Sequence, residues 1–176
     1  EEDPLIDPHA VHAGWIAVRQ AIGEKNISAF LETAQANIVE GPYEPTPEKA
    51  GKRALRNLAL GYAHAAGSPR AAIMIKDQFM TANNLTDKLA ALHMMANSQT
   101  PAKQDMEVDA LKAWYHEPLL INKWLTIQAT APSFPGEARV LERVRELTRC
   151  PFFSLKNPNN VYALLLGYFQ QNPSEF

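Results

Sequence analysis

The chain has 176 residues, 17 Lys and Arg against 19 Asp and Glu, a formal charge of −2 and 46% hydrophobic side chains. That length and apolar content suit one domain with a real core, and they exclude a disordered chain and a strongly basic nucleic-acid binder. No apolar run approaches the roughly 18 residues of a membrane span, and a single cysteine, Cys150, excludes an internal disulfide framework and any multi-cysteine zinc or iron–sulfur site.

The opening Glu1-Glu2-Asp3-Pro4 carries neither an initiator methionine nor an apolar signal segment, so the expectation is an excised piece of something longer. Asp7-Pro8 joins a side-chain cap to a proline at the first helical position, where the missing N–H costs nothing, and predicts a helix start. Val11, Trp15, Val18 and Ile22 then recur at helical spacing as far as Gly23. A second stripe, Ile27, Leu31, Ala34 and Ile38, ends before Gly41-Pro42. Thr46-Pro47 and Ser68-Pro69 repeat the cap-and-proline start; the first leads into Leu55, Leu58 and Tyr62, the second into Ile73, Ile75 and Phe79. Leu85 with Leu89 and Leu92, and Met106 with Ala110, Ala113 and Trp114, follow. Leu120 to Thr130 through Trp124 and Ile127, then Val140, Val144 and Leu147, and last Val161, Leu164, Leu165 and Tyr168 bring the total to about nine short helices. Trp15, Trp114 and Trp124 all lie on such stripes and are expected in the core.

Strand signals are poor. Alanine and leucine make up a quarter of the chain, valine and isoleucine are far fewer, and no Asn-Gly or Asp-Gly hairpin turn occurs. Residues 1–176 therefore read as a single all-α domain. So many short helices cannot surround one four-helix core, so antiparallel pairs are expected to stack as a superhelical α-α solenoid of the HEAT/armadillo kind, without a strict repeat.

The chemistry-bearing residues are sparse. His9 and His12 share a helix face at i, i+3, but no further ligand accompanies them beyond Asp7 at the helix start, and no metal site is expected. His116-Glu117 begins like the zinc-protease His-Glu-x-x-His helix, yet the second histidine position is Leu120 and Pro118 interrupts the turn. Lys49, Lys52, Arg53 and Arg56 align along one helix face, expected as a solvated surface paired to neighbouring acids rather than a phosphate-binding strip. Arg139, Glu142, Arg143, Arg145, Glu146 and Arg149 alternate in sign and read as ordinary surface. No glycine-rich phosphate loop and no nucleophile motif is present, and Cys150 before Pro151 reads as a buried or half-buried thiol. The residues by themselves contain no catalytic constellation.

Four ordered stretches nevertheless resemble the C-terminal helical domain of the aminopeptidase N (alanyl aminopeptidase) family of zinc metallopeptidases. They are Gly51-Lys52-Arg53-Ala54-Leu55-Arg56-Asn57, Asn84-Leu85-Thr86-Asp87-Lys88-Leu89-Ala90-Ala91-Leu92, the segment from Pro118 through Lys123-Trp124 to Ala129, and Phe153-Ser154-Leu155-Lys156-Asn157-Pro158-Asn159; the Asn172-Pro173 ending continues the likeness. The resemblance covers nearly the whole chain. It implies a non-catalytic domain, because the family's His-Glu-x-x-His and Gly-Ala-Met-Glu-Asn motifs belong to a preceding catalytic domain and neither occurs here. It further implies a parent enzyme in which zinc activates a water and N-terminal residues are released from peptides, while the helical domain closes over the active site and leaves a chamber that restricts peptide access. The implied partners are the catalytic domain of the same polypeptide and the peptide substrates; zinc belongs to the parent and no cofactor to this segment. Where bacterial members are expected to carry two arginines two apart after Asn157-Pro158-Asn159, this sequence has Asn160 and Tyr162, which makes these two the candidate chamber-lining residues without the positive charge. The family normally continues through further helices beyond the position of Phe176. The alternative reading is a free-standing helical-repeat scaffold for protein–protein interaction. The lone cysteine is compatible with a reducing cytosol, and a cytoplasmic location is the expectation.

Overall fold

The computed structural model of the chain describes residues 7–172; the opening Glu1-Glu2-Asp3-Pro4, Pro173 of the Asn172-Pro173 ending and Phe176 lie outside the described residues. Among the described residues every regular element is helical: α1 (Pro8–Lys25), α2 (Ile27–Ala36), α3 (Pro47–Ala65), α4 (Pro69–Thr81), α5 (Leu85–Ala96), α6 (Ala102–Trp114), α7 (Pro118–Thr130), α8 (Val140–Leu147), α9 (Pro158–Val161), a π-helical turn (Tyr162–Leu166) and α10 (Gly167–Gln171). The last three follow one another without a break, so 158–171 is a single helical run with a π insertion.

The cap-and-proline starts form as the sequence predicts. Asp7 accepts from the His9 N–H at 2.9 Å, Thr46 from Lys49 at 3.3 Å and Ser68 from Ala71 at 3.3 Å, each followed by a proline in the first turn. α7 and α9 also open on proline, behind Glu117 and Asn157. Gly67, just past α3, takes φ +74, the left-handed conformation that ends many helices. Gly23 has a different role from the expected one. α1 does not stop there but runs on to Lys25, and a Cβ at position 23 would come within 2.3 Å of the Tyr62 carbonyl oxygen. The glycine permits a close crossing onto α3, not a helix end.

The described residues form two compact units. In the first, Ile16–Met106, α2 packs on α3, α4 on α5, and α3 on both α4 and α5, around Ala34, Leu60, Ile75, Leu92 and Met95. Phe30 of α2 stacks parallel on Tyr62 of α3 at 5.0 Å between ring centroids. In the second unit α7 packs on α8 and on the closing run, and the core holds Trp114, Ile121, Trp124, Leu125, Val140, Val144 and Leu164. Trp114 and Trp124 are buried as expected; Trp15 is not, standing 62% exposed on α1. The rest of that stripe, Val11, Val18 and Ile22, is exposed with it, as are Leu55 and Leu58 of α3 and Ile73 of α4. The reason in α1 is visible: the helix meets α3 through Gly23 and Arg19, the latter lying 5.6 Å from the centre of the Tyr62 ring, a quarter-turn from the apolar stripe. Periodicity finds a stripe but not its cover.

Candidate functional site

The first two motif stretches meet in one polar joint. Arg56 of α3 donates from Nε to Gln78 Oε1 of α4 at 2.7 Å and from a terminal nitrogen to the Ala34 carbonyl near the end of α2 at 2.9 Å. Gln78 Nε2 donates to Asn57 Oδ1 at 2.7 Å and to the Asp87 carbonyl at 3.0 Å, and Asn57 Nδ2 donates to Asp87 Oδ1 at 3.0 Å. Asp87 is held in turn by Asn84, whose side chain both caps α5 through the Asp87 N–H and donates to Asp87 Oδ2, each at 2.9 Å. The result is a relay from a guanidinium through two carboxamides to a carboxylate, with every group aligned donor to acceptor, an arrangement in which successive bonds polarise one another. Burial pulls the Arg56 guanidinium below its ordinary pKa against the opposing effect of Asp87. This joint ties α2, α3, α4 and α5 together.

The cationic face of α3 is thus only in part the solvated surface expected of it. Lys49 pairs with Glu44 at 2.7 Å and Lys52 with Glu48 at 2.9 Å, at the surface. Arg53 is buried, donates to the Glu44 carbonyl at 3.0 Å and lies 4.9 Å from the centre of the Tyr43 ring, while Arg56 belongs to the relay. Two of the four cations are structural because α3 turns its polar side inward. On the same helix His64 has a buried Nε2 without a hydrogen-bond partner; burial, with Arg19 nearby, holds its imidazole below the usual histidine range, against the opposing effect of a hydrogen bond to the Met94 backbone.

The other two motif stretches meet in the second unit. Asn160 is buried, 4% exposed, and accepts the Ser154 N–H through Oδ1 at 3.0 Å while donating through Nδ2 to Asn122 Oδ1 of α7 at 2.7 Å. Asn157 caps α9 by accepting from the Asn159 N–H at 3.0 Å. Tyr162, two residues beyond Asn160, is 60% exposed at the start of the π-helical turn. Residues two apart on a helix point to different sides, so the two candidate residues do not converge. Asn160 reaches instead the edge of a pocket of about 290 Å³ shared with Tyr115, His116, Ile121, Phe152 and Asn157. The Phe152 ring there sits edge-on to Tyr115 at 5.9 Å and to Trp124 at 6.0 Å, and Trp124 Nε1 donates to the Glu107 carbonyl at 3.0 Å. Sequence reading considered His116 only against a zinc motif and missed the pocket, whose signal was the cluster Tyr115, His116 and Phe152 on two loops far apart in the chain.

Arg143 also departs from the surface role expected of it. It is half-buried and donates to the Gln128 carbonyl at 2.9 Å and to the Ala131 carbonyl, while Asn172 donates to the Ala129 carbonyl at 3.1 Å. Together they satisfy the carbonyls left open at the end of α7, with a cation where the helix dipole favours one. Gly167 lies where a Cβ would touch Ala129 at 3.2 Å, which brings the closing run tightly onto α7. Cys150 is half-buried, and burial with Glu146 raises its thiol above the ordinary range, so it is a poor nucleophile. Among the described residues no group of three or more His, Cys, Asp or Glu is placed to hold a metal ion; the residues present do not fit zinc. No helix of the described residues is long and apolar enough to cross a membrane.

Comparison with known proteins gives consistent matches. A family described as "Domain of unknown function (DUF3458_C) ARM repeats" matches residues 1–176, in agreement with an all-helical α-solenoid class. Aminopeptidase N of Escherichia coli (strain K12) is 31% identical over 172 residues, covering 98% of this chain and 19% of the relative. Aminopeptidase N of Haemophilus influenzae is 29% identical over 176 residues, covering all of this chain and 19% of the relative. A crystal structure of Legionella pneumophila aminopeptidase A in complex with aspartic acid superposes with a TM-score of 0.82 at 25% identity, covering 99% of this chain and 21% of that one. The chain spans about a fifth of the length of the relatives it matches.

Proposed function

We propose a role that proceeds from one premise: the chain belongs to the DUF3458_C family of ARM-repeat domains, the C-terminal helical domain of aminopeptidase N-type enzymes. In this reading it is a non-catalytic part of a zinc-dependent aminopeptidase, closes over the active site of the parent, and restricts which peptides reach it. The parent polypeptide would supply the catalytic domain and the zinc, and would release N-terminal residues from peptides. The observation that carries the reading is the match along the entire chain to relatives named aminopeptidase N. Four ordered motifs support it, as a scaffold requires: the first two meet in the helix-to-helix relay among Arg56, Gln78, Asn57 and Asp87, the third supplies Asn122 to the bond with Asn160, and the fourth caps the helix that carries Asn160 through Asn157.

Of the two candidate chamber residues, Tyr162 is the one this reading assigns to meet a peptide; its 60% exposure supports that assignment. Asn160 acts behind it as an anchor for the Ser154 loop on α7. The test uses the full-length parent with Tyr162→Ala, comparing alanyl-p-nitroanilide with alanyl tetrapeptides. The expected result is an unchanged kcat/KM for the small chromogenic substrate and a several-fold higher KM for the peptides. Equal effects on both, or a native polypeptide of about 20 kDa without chelator-sensitive hydrolysis, would overturn the reading in favour of a free-standing interaction scaffold.

A further inference from the structure

In the second unit the loop between α6 and α7 and the loop between α8 and α9 face each other across the pocket of about 290 Å³. That volume lies at the lower end of the roughly 300–1,000 Å³ of small-molecule sites, with room for one ring and a short chain. Tyr115, Ile121 and Phe152 give the pocket an apolar wall, and the Phe152 ring stands edge-on to Tyr115 at 5.9 Å and to Trp124 at 6.0 Å. The polar side is fixed as well. Asn160 ties the Ser154 N–H to Asn122 of α7, and the Asn157 N–H donates to the Ser154 carbonyl at 3.0 Å, so the second loop is braced on itself and on α7 before any ligand arrives.

The hydrogen-bonding capacity of the lining is one-sided. Its acceptors are used inside the chain: Asn160 Oδ1 takes the Ser154 N–H at 3.0 Å, Asn157 Oδ1 the Asn159 N–H at 3.0 Å, and Ser154 Oγ the Lys156 N–H at 3.2 Å. Its donors are not: among the described residues the Asn157 carboxamide nitrogen, the Ser154 and Tyr115 hydroxyls and the His116 imidazole donate to no group of the chain. No Asp, Glu, Lys or Arg lines the pocket. A ligand that presents an acceptor is therefore matched, and a negative charge on it meets no carboxylate. The apolar wall asks for a ring at the ligand's other end.

We propose that this pocket binds a compact aromatic carboxylate, with the ring against Tyr115 and Phe152 and the carboxylate toward Ser154, Asn157 and His116. A free small acid and the C-terminal aromatic residue of a peptide both carry that chemistry, and the test separates them. The proposal rests on this pocket and not on the activity of the parent.

The test is a ligand-observed NMR titration of the full-length parent. Phenylpropionate is expected to bind saturably with a Kd of about 0.1–1 mM, and phenylpropanamide, alike in shape but uncharged, about tenfold more weakly. Ser154→Asp sets a carboxylate in the lining and still offers an acceptor to the Lys156 N–H, so it is expected to weaken the acid about tenfold and to change the amide by less than about twofold. If that variant does not fold, His116→Glu, at an exposed position, replaces it with the same expectation. An N-acetylated tripeptide ending in phenylalanine that binds as tightly as phenylpropionate assigns the group to a peptide end, and one that binds about tenfold more weakly assigns it to a free acid; either result supports the site. No saturable binding of the acid or the tripeptide below about 10 mM, equal affinity for acid and amide, or an affinity for the acid that the folded variant leaves unchanged would each overturn the proposal, the last by placing the ligand elsewhere on the parent.

Discussion

Helices α3 and α7 bury different mixtures of side chain. α7 turns Ile121, Trp124, Leu125 and Ile127 inward, a mostly apolar set with Gln128 beside it. α3 buries Ala59, Leu60 and Ala63 in its later part, but ahead of them it buries Arg53 and half-buries Arg56 and Asn57, while Leu55 and Leu58 remain 46% and 57% exposed. Both arrangements are stable for reasons that can be stated. Apolar burial contributes roughly 25 cal/mol per Å² without needing a partner of particular geometry. Polar burial is tolerated only if every donor and acceptor is met, and the α3 joint meets that condition through Gln78, Asn57, Asp87 and two backbone carbonyls. An α7-type core forgives a change of shape better than a change of polarity, and the α3 joint does the reverse.

The largest test of that contrast is Trp124→Ala, expected to cost about 3–5 kcal/mol in chemical denaturation, because it removes a buried ring packed on Phe152 and strands the Glu107 carbonyl. A loss under about 1 kcal/mol would mean that the α7 core is not what holds its unit together. In the polar joint Gln78→Leu, similar in size but unable to bond, is expected to cost about 2–3 kcal/mol by leaving Arg56 and Asn57 unmet. A double-mutant cycle of Arg56→Ala with Asp87→Ala should then show coupling of about 1 kcal/mol although the two side chains do not touch, and strict additivity would dismiss the relay. Gly23→Ala raises helix propensity and is still expected to destabilise by about 1–3 kcal/mol, since the new Cβ would collide with the Tyr62 carbonyl; a stabilised variant would disprove the close crossing.

The smallest effect is one of pH. His64 is held below its ordinary value in the folded chain, so the unfolded chain binds the proton more readily. Its contribution to stability is therefore complete above the unfolded pKa of about 6.5 and is lost as pH falls below it. Protonation would place a second N–H at a buried atom with no acceptor and add a charge near Arg19. Denaturation midpoints taken from pH 8 down to 5.5 should fall, and His64→Gln should flatten the acid limb. A midpoint that rises over that interval contradicts the placement.

Legibility differed between these regions for a physical reason. Helix starts at Pro8, Pro47 and Pro69 were readable because a cap and a proline act within four residues of chain. The stripes of α7 and α8 were readable as core because an apolar side in that unit does face its neighbours. The same stripe pattern misled in α1 and α3: a period of 3.6 reports that a helix has an apolar side, while the side it buries depends on what packs there. Arg143 shows the complementary error, since a charge pattern read as surface conceals a guanidinium capping carbonyls of another helix. At the candidate site the segment around Asn160 and Tyr162 was found by resemblance, but the burial of one and exposure of the other follow from where the closing run lies on α7.

What the sequence determined by itself was local: all-helical content, the helix starts and the family, each carried by composition or by residues close in the chain. Which side of each helix is inside was decided by the tertiary structure. Gly23 against Tyr62, the relay from Arg56 through Gln78 and Asn57 to Asp87 and the Asn160–Asn122 bond join residues 21 to 39 positions apart, and a contact across that distance depends on how the intervening helices turn and pack. Periodicity along one helix carries no record of that geometry.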